Sequence, residues 1–132
     1  MNEEREMKNS INKFELEGNV GNIRDIYTNK NGKSSLRFDL GQNNNGNTQF
    51  VPIVIKGALV DTYGKEIEKG NWISVKGRIS AFSKDVEKDG KTFKEKSVEI
   101  LGFEITDRTN NKIYTSDGQI QDISNSKDEM ER

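Results

Sequence analysis

The 132 residues of this chain suit one domain, and with 33% charged against 30% hydrophobic residues its core must be small, leaving the ends or loops to carry the polar excess. The absence of cysteine and histidine removes disulfides, thiolate zinc sites, cysteine nucleophiles and histidine general bases, so neither an enzymatic activity nor a metal or other cofactor is expected. The net charge of −1 is unevenly spread, because residues 11–105 hold 15 Lys and Arg against 13 Asp and Glu while both ends are acidic, which permits a polyanionic partner without demanding one.

Residues 1–10, MNEEREMKNS, form a polar extension without the apolar centre of a signal peptide, and no apolar run in the chain approaches the roughly 18 residues of a membrane span. A cytoplasmic protein with no membrane partner is expected. Phe14, Leu16, Gly18 and Val20 then alternate with Lys13, Glu15, Glu17 and Asn19, a period of two that predicts a half-buried first strand. A polar turn over Thr28–Gly32 leads to a second strand in which Leu36, Phe38 and Leu40 alternate with Arg37 and Asp39. The Asn- and Gly-rich stretch Gln42–Gln49 reads as a mobile loop, since it has no apolar surface to bury.

A third strand, FVPIVIK, contains Pro52, the only proline, which lacks an N–H and belongs at a sheet edge. Alternation turns Val51, Ile53 and Ile55 inward and Phe50, Pro52, Val54 and Lys56 outward. Leu59, Tyr63 and Ile67 recur every four residues and predict a short helix that plugs one end of the fold, with Gly70 as its stop. In the fourth strand Ile73, Val75, Gly77 and Ile79 face inward, so Trp72, Ser74, Lys76, Arg78, Ser80 and Phe82 share the outer face. Asp89-Gly90 marks a hairpin, Thr92–Ile105 returns as the fifth strand, and the polar composition beyond Thr106 predicts a disordered tail.

Strand, glycine-bounded helix and alternating strand in that order predict an all-β fold: a five-stranded OB-fold barrel with one short helix between its third and fourth strands, and a polar tail. The expected division is an extension over residues 1–10, the barrel over 11–106 and the tail over 107–132. Barrels of this kind bind single strands on an outer groove, stacking bases on aromatic rings and tracking phosphates with Lys and Arg. Here the outward row offers Phe50, Trp72 and Phe82 as aromatics and Arg37, Lys56, Lys76, Arg78 and Lys84 as cations, with Phe93 across the last hairpin. Each has a structural alternative: Phe50 as a rim over the core, Trp72 as a subunit contact, Phe82 and Phe93 as a cross-strand pair, the cations as plain solvated charges. Asp85, Glu87 and Asp89 beside Lys84 repel phosphate and count against the tip of that hairpin.

Over residues 11–105 the chain resembles the bacterial single-stranded-DNA-binding proteins. The likeness is carried by Ile11-Asn12-Lys13 before an apolar strand closed by Gly18-Asn19-Val20-Gly21, by Asn31-Gly32 in the first hairpin, and by Thr48-Gln49-Phe50 before an apolar run and Lys56-Gly57. Glu68-Lys69-Gly70 followed by Ile73-x-Val75-x-Gly77-Arg78-Ile79 is similar to the family's fourth-strand signature. The resemblance implies sequence-tolerant binding of single-stranded DNA by a homodimer or homotetramer, with replication or recombination proteins as further partners, and it makes Phe50 the stacking ring that opens the third strand. Three of the family's usual aromatics are absent: Lys56 and Lys84 stand at two of the positions, and Asn43-Asn44-Asn45-Gly46 at the third. The family's acidic end with its terminal Pro-Phe has no counterpart in Lys127–Arg132, which weighs against partner recruitment through that tip. These departures fit a divergent member of the sort that phages and plasmids carry. Two other functions stay open: an OB-fold adaptor that works by protein contact with weak DNA affinity, and an RNA-binding barrel, since stacking does not read the 2′-OH.

Overall fold

The computed structural model describes residues 9–123. In chain order they form β1 (Phe14–Ile23), β2 (Tyr27–Thr28), β3 (Ser34–Asn44), β4 (Asn47–Lys56), α1 (Ala58–Tyr63), β5 (Trp72–Lys88), β6 (Lys91–Asp107), β7 (Lys112–Thr115) and β8 (Ile120–Asp122). β1 lies antiparallel between β3 and β5, β3 pairs with β4, β5 pairs with β6, and β4 returns to β6 through a parallel bridge at Val54 and Leu101. The ring β1–β3–β4–β6–β5 is therefore closed, and with α1 between β4 and β5 it is the five-stranded OB-type barrel that the alternation predicts. Among the described residues no helix is long and apolar enough to cross a membrane.

The core follows the period of two. Leu36, Phe38 and Leu40 on β3, Ile53 and Ile55 on β4, Ile73 and Val75 on β5 and Ile105 on β6 are buried, and Leu59, Val60 and Tyr63 of α1 close one end. The barrel turns a corner at Gly77, where the β5–β6 register shifts and a β-carbon would collide with the Leu101 carbonyl oxygen. Past that corner β5 and β6 leave the barrel as a two-stranded arm. Ile79 has inward parity but sits where the arm begins, and it is 41% exposed. Pro52 faces Asp39 on β3, and because the β4–β6 ladder is Val54 with Leu101, no bond from Pro52 toward β6 is lost.

Four further expectations are corrected. Gln42–Gln49 is an extended hairpin rather than a loop: Gln42 pairs with Gln49, Asn43 with Thr48 and Asn44 with Asn47, around Asn45 and Gly46 at φ 53° and 85°. Positive φ at both central residues is the hairpin turn that Asn-Gly favours. Val54, outward by parity, is 1% exposed. Helix α1 ends at Tyr63, well before Gly70, with Gly64 donating its N–H to the Val60 carbonyl.

The fourth correction concerns the tail. β7 adds to the edge of β6, β8 to β7, and Tyr114 is as buried as the barrel core, its ring 4.7 Å from that of Tyr63 at 55°. A fully buried carboxylate, Asp107, ties these parts together. Its Oδ2 accepts from the Tyr63 hydroxyl at 2.6 Å, Asn71 Nδ2 at 3.1 Å and Asn110 Nδ2 at 3.0 Å, and its Oδ1 accepts from the Asn110 backbone N–H at 3.0 Å. Helix end, start of β5 and the β6–β7 turn thus converge on one side chain, both of whose oxygens accept hydrogen bonds and which forms no ion pair among the described residues. Burial, and then the hydrogen bond and charge of Asp107, push the Tyr63 hydroxyl far above the ordinary phenol range; burial, followed by Glu66 and Asp107, raises Tyr114. The expected tail from residue 107 is thus ordered structure through residue 123, and residues 124–132 lie outside the described part.

Candidate nucleic-acid interface

Phe50 stands on β4 directly opposite Gly41 of β3 and is 61% exposed. Its ring does not project freely. A β-carbon at Gly41 would come within 3.1 Å of a ring carbon, and one at Gly21 of β1 within 3.4 Å, so the ring lies across two glycine backbones. Asp39, Asn22 and Lys69 complete a shallow hollow around it. A ring seated on backbone on one side and open to solvent on the other has fewer directions in which to move than a free side chain, which lowers the entropic cost of stacking a base on it.

The register carries this platform sideways. Trp72 of β5 pairs with Asn19 of β1, Asn19 with Gly41 of β3, and Gly41 with Phe50 of β4. Paired residues share a face, so the two aromatics end one transverse row whose middle positions carry only Asn and Gly, and three strand spacings separate them, roughly 14 Å. Trp72 is 41% exposed, and its backbone is fixed by bonds from its N–H to Thr109 Oγ1 and to its carbonyl from the Arg108 N–H.

The cations are less free than the sequence suggests. Arg37 Nη2 and Lys56 Nζ both bind Glu99, at 3.1 and 3.2 Å, and that carboxylate is only 12% exposed. Arg37 is paired with Val54, and Val54 with Leu101, two residues from Glu99, so the three charges share the face of Val54 and explain why an outward valine is buried. They also line a cleft of about 670 Å³ with Tyr27, Lys33 and Asp61. Lys76 lies 4.0 Å from Glu104 and opposite Glu15. Arg78 stacks on Phe103, its guanidinium carbon 5.7 Å from the ring centre.

On the arm, Phe82 pairs with Ser97, Lys84 with Glu95 and Val86 with Phe93. Phe82 and Phe93 share a face but are not a cross-strand pair, because the Lys84–Glu95 pair stands between them. They are 41% and 50% exposed. The structure therefore brings Phe50, Trp72, Arg37 and Lys56 onto the barrel wall and leaves Phe82, Lys84 and Phe93 out on the arm, with Lys76 and Arg78 at its root.

Sequence reading missed Glu99, Tyr27 and the glycine floor. Gly21 and Gly41 carried a signal, since both have outward parity, where a glycine is not needed for the core. Nothing local marks Glu99 as the partner of Arg37 and Lys56, which lie 62 and 43 residues away in the chain. Among the described residues no group of acidic side chains is arranged to hold a metal ion.

Comparison with known families matches residues 11–106 to the model of the single-strand binding protein family. No curated protein matches the chain.

Proposed function

The chain belongs to the single-strand binding protein family, and from that premise we propose that it binds single-stranded DNA without sequence preference and shields it during replication, recombination or DNA transfer. The observation that carries this reading is the Phe50 ring, exposed on one side and seated on Gly21 and Gly41 on the other. Bases stack on it and on Trp72 along the transverse row, while Arg37, Lys56, Lys76, Arg78 and Lys84 meet phosphates. Phe82 and Phe93 extend the path along the arm. The working form is a homodimer or homotetramer, so that one strand passes over several barrels, and replication or recombination proteins act beside it in the cytoplasm. No chemistry is assigned to the chain; its role is binding.

A second reading, an adaptor with weak DNA affinity, draws on the pairing of Arg37 and Lys56 with Glu99 and of Lys76 with Glu104, which leaves less positive charge for phosphate. Polarisation titrations with labelled oligo-dT, oligo-rU and duplex DNA at low and moderate salt separate the readings. Saturable binding that favours oligo-dT supports the first. Absence of binding to all three at low salt overturns it in favour of the adaptor, and preference for oligo-rU moves the target to RNA.

A further inference from the structure

We infer that Glu99 is an internal competitor for nucleic-acid phosphate, occupying two of the cations of the barrel cleft, Arg37 and Lys56, and setting how tightly, and with what salt dependence, the chain holds a single strand. The inference rests on the single-strand-binding reading and deepens it.

Arg37 and Lys56 come from different strands and converge on one carboxylate, at 3.1 and 3.2 Å. Both cations are about half exposed, whereas Glu99 is 12% exposed beneath them, so the cation heads reach solvent and the anion is held inside. An incoming phosphate presents oxygens with the same charge sign and hydrogen-bond capacity as a carboxylate. It meets a pair of cations whose joint charge has been halved. Affinity for a single strand rests largely on counterions released when free cations neutralise phosphates, and a cation already neutralised from within releases fewer. Glu99 stays on β6 when the strand arrives, because its partner position Ser80 and the flanking ladder hold the backbone in register. The phosphate therefore shares Arg37 and Lys56 with it or draws them away from it, at a cost that free cations would not incur. Lys33, on the same cleft wall and in none of the ion pairs among the described residues that involve the cleft, is the cation left to make first contact.

The test compares the wild-type chain with Glu99→Gln, which keeps the shape and one hydrogen-bond acceptor but removes the charge. Glu66→Gln, exposed in the turn after α1 and outside both the cleft and the arm, makes the same change in net charge. Affinity for oligo-dT is measured by polarisation across a salt series, with thermal melting of each variant. Glu99→Gln is expected to bind roughly three- to tenfold more tightly at low salt, with a slope of log affinity against log salt steeper by about 0.7 for each phosphate gained. Glu66→Gln should stay close to wild type. In an Arg37→Ala, Lys56→Ala background the effect of Glu99→Gln should vanish, since there is nothing left to compete for. If wild type binds oligo-dT and Glu99→Gln binds equally or more weakly, the competitor role is overturned and Glu99 is an aligning residue instead. A gain that persists in the Arg37→Ala, Lys56→Ala background overturns it as well, reducing it to general charge. If wild type does not bind oligo-dT, the parent reading falls, and the inference with it.

Discussion

The Phe50 ring rests so closely on Gly41 that a β-carbon there would lie 3.1 Å from a ring carbon, although the two residues come from different strands. Glycine at this position gives the aromatic a backbone floor, and any side chain would tilt or lift it. Phe50→Ala is expected to weaken oligo-dT binding by about 1–3 kcal/mol while leaving the melting temperature close to wild type, because an exposed ring contributes little to the core. Gly41→Ala, which displaces the ring without removing it, should weaken binding less. Unchanged affinity in both variants would show that Phe50 is a rim residue.

Tyr114 belongs to the barrel core although it lies beyond the fifth barrel strand, so the chain after Ile105 is required for stability. Tyr114→Ala should cost about 3–5 kcal/mol in urea unfolding, the range for removing a buried aromatic. Truncation after Thr106 removes Tyr114, Asp107 and the hydrogen bonds around it, and should give little or no folded protein. A truncated chain with the wild-type urea midpoint would contradict the placement of β7 and β8.

The Tyr63 hydroxyl links stability to pH with a definite sign. Its folded-state pKa is raised above the unfolded value of about 10, so below that pH both states keep the proton and the contribution is complete. Above about pH 10 the unfolded chain releases its proton first, and stability falls as pH rises by up to about 1.4 kcal/mol per unit for this group. Tyr63→Phe should lower stability at pH 8 by about 1–3 kcal/mol, because buried Asp107 loses its 2.6 Å donor, yet flatten the alkaline decline. Urea midpoints from pH 8 to 11 measure both; parallel profiles for the two proteins would remove Tyr63 from the linkage.

Gly46 has φ 85° in the two-residue turn between β3 and β4, a left-handed conformation that a β-carbon disfavours. Gly46→Ala should cost about 1 kcal/mol and Asn45→Gly very little. Because β3 carries Gly41 and β4 carries Phe50, loosening this turn also loosens the platform, and Gly46→Ala should weaken oligo-dT binding modestly. Hydrogen exchange at Gln42 and Gln49 reports the change; wild-type protection there would mean that the turn does not hold the hairpin.

Alternation alone made the barrel interior legible, because a barrel strand has one wet and one dry face and Leu36, Phe38, Ile53, Ile55, Ile73 and Val75 obey that rule. It failed where the surroundings of a position, rather than its parity, decide burial. Val54 points outward but lies under an ion cluster, and Ile79 points inward where the arm has left the barrel. Composition misled at Gln42–Gln49, where Asn and Gly signal mobility in bulk but a tight turn when they stand as a central Asn-Gly pair. It misled again beyond Asp107, where the polar stretch holds a single tyrosine whose place is visible only once Tyr63 is known to need a neighbour. In the candidate site, Phe50 was readable from the motif around it. Its glycine floor and the hold of Glu99 on Arg37 and Lys56 depend on contacts between distant strands.

Trp72 offers an internal probe, since it is the only tryptophan and its ring ends the transverse row that begins at Phe50. Two roles give different signatures. If a strand of DNA crosses the row, saturating oligo-dT should quench the Trp72 emission, and Phe50→Ala should shift the quenching curve to higher DNA concentration without altering its end point. If Trp72 instead packs against a second copy of the chain, its emission should change with dilution of the protein alone and be insensitive to DNA at fixed concentration. The partial exposure of 41% suits either surface, but the restrained backbone and the small residues at Asn19 and Gly41 keep the path between the rings open, and the row is spanned by about two nucleotides of extended single strand. DNA-dependent quenching is therefore the expected result, and dilution-dependent emission without it would assign Trp72 to the subunit contact and confine stacking to Phe50.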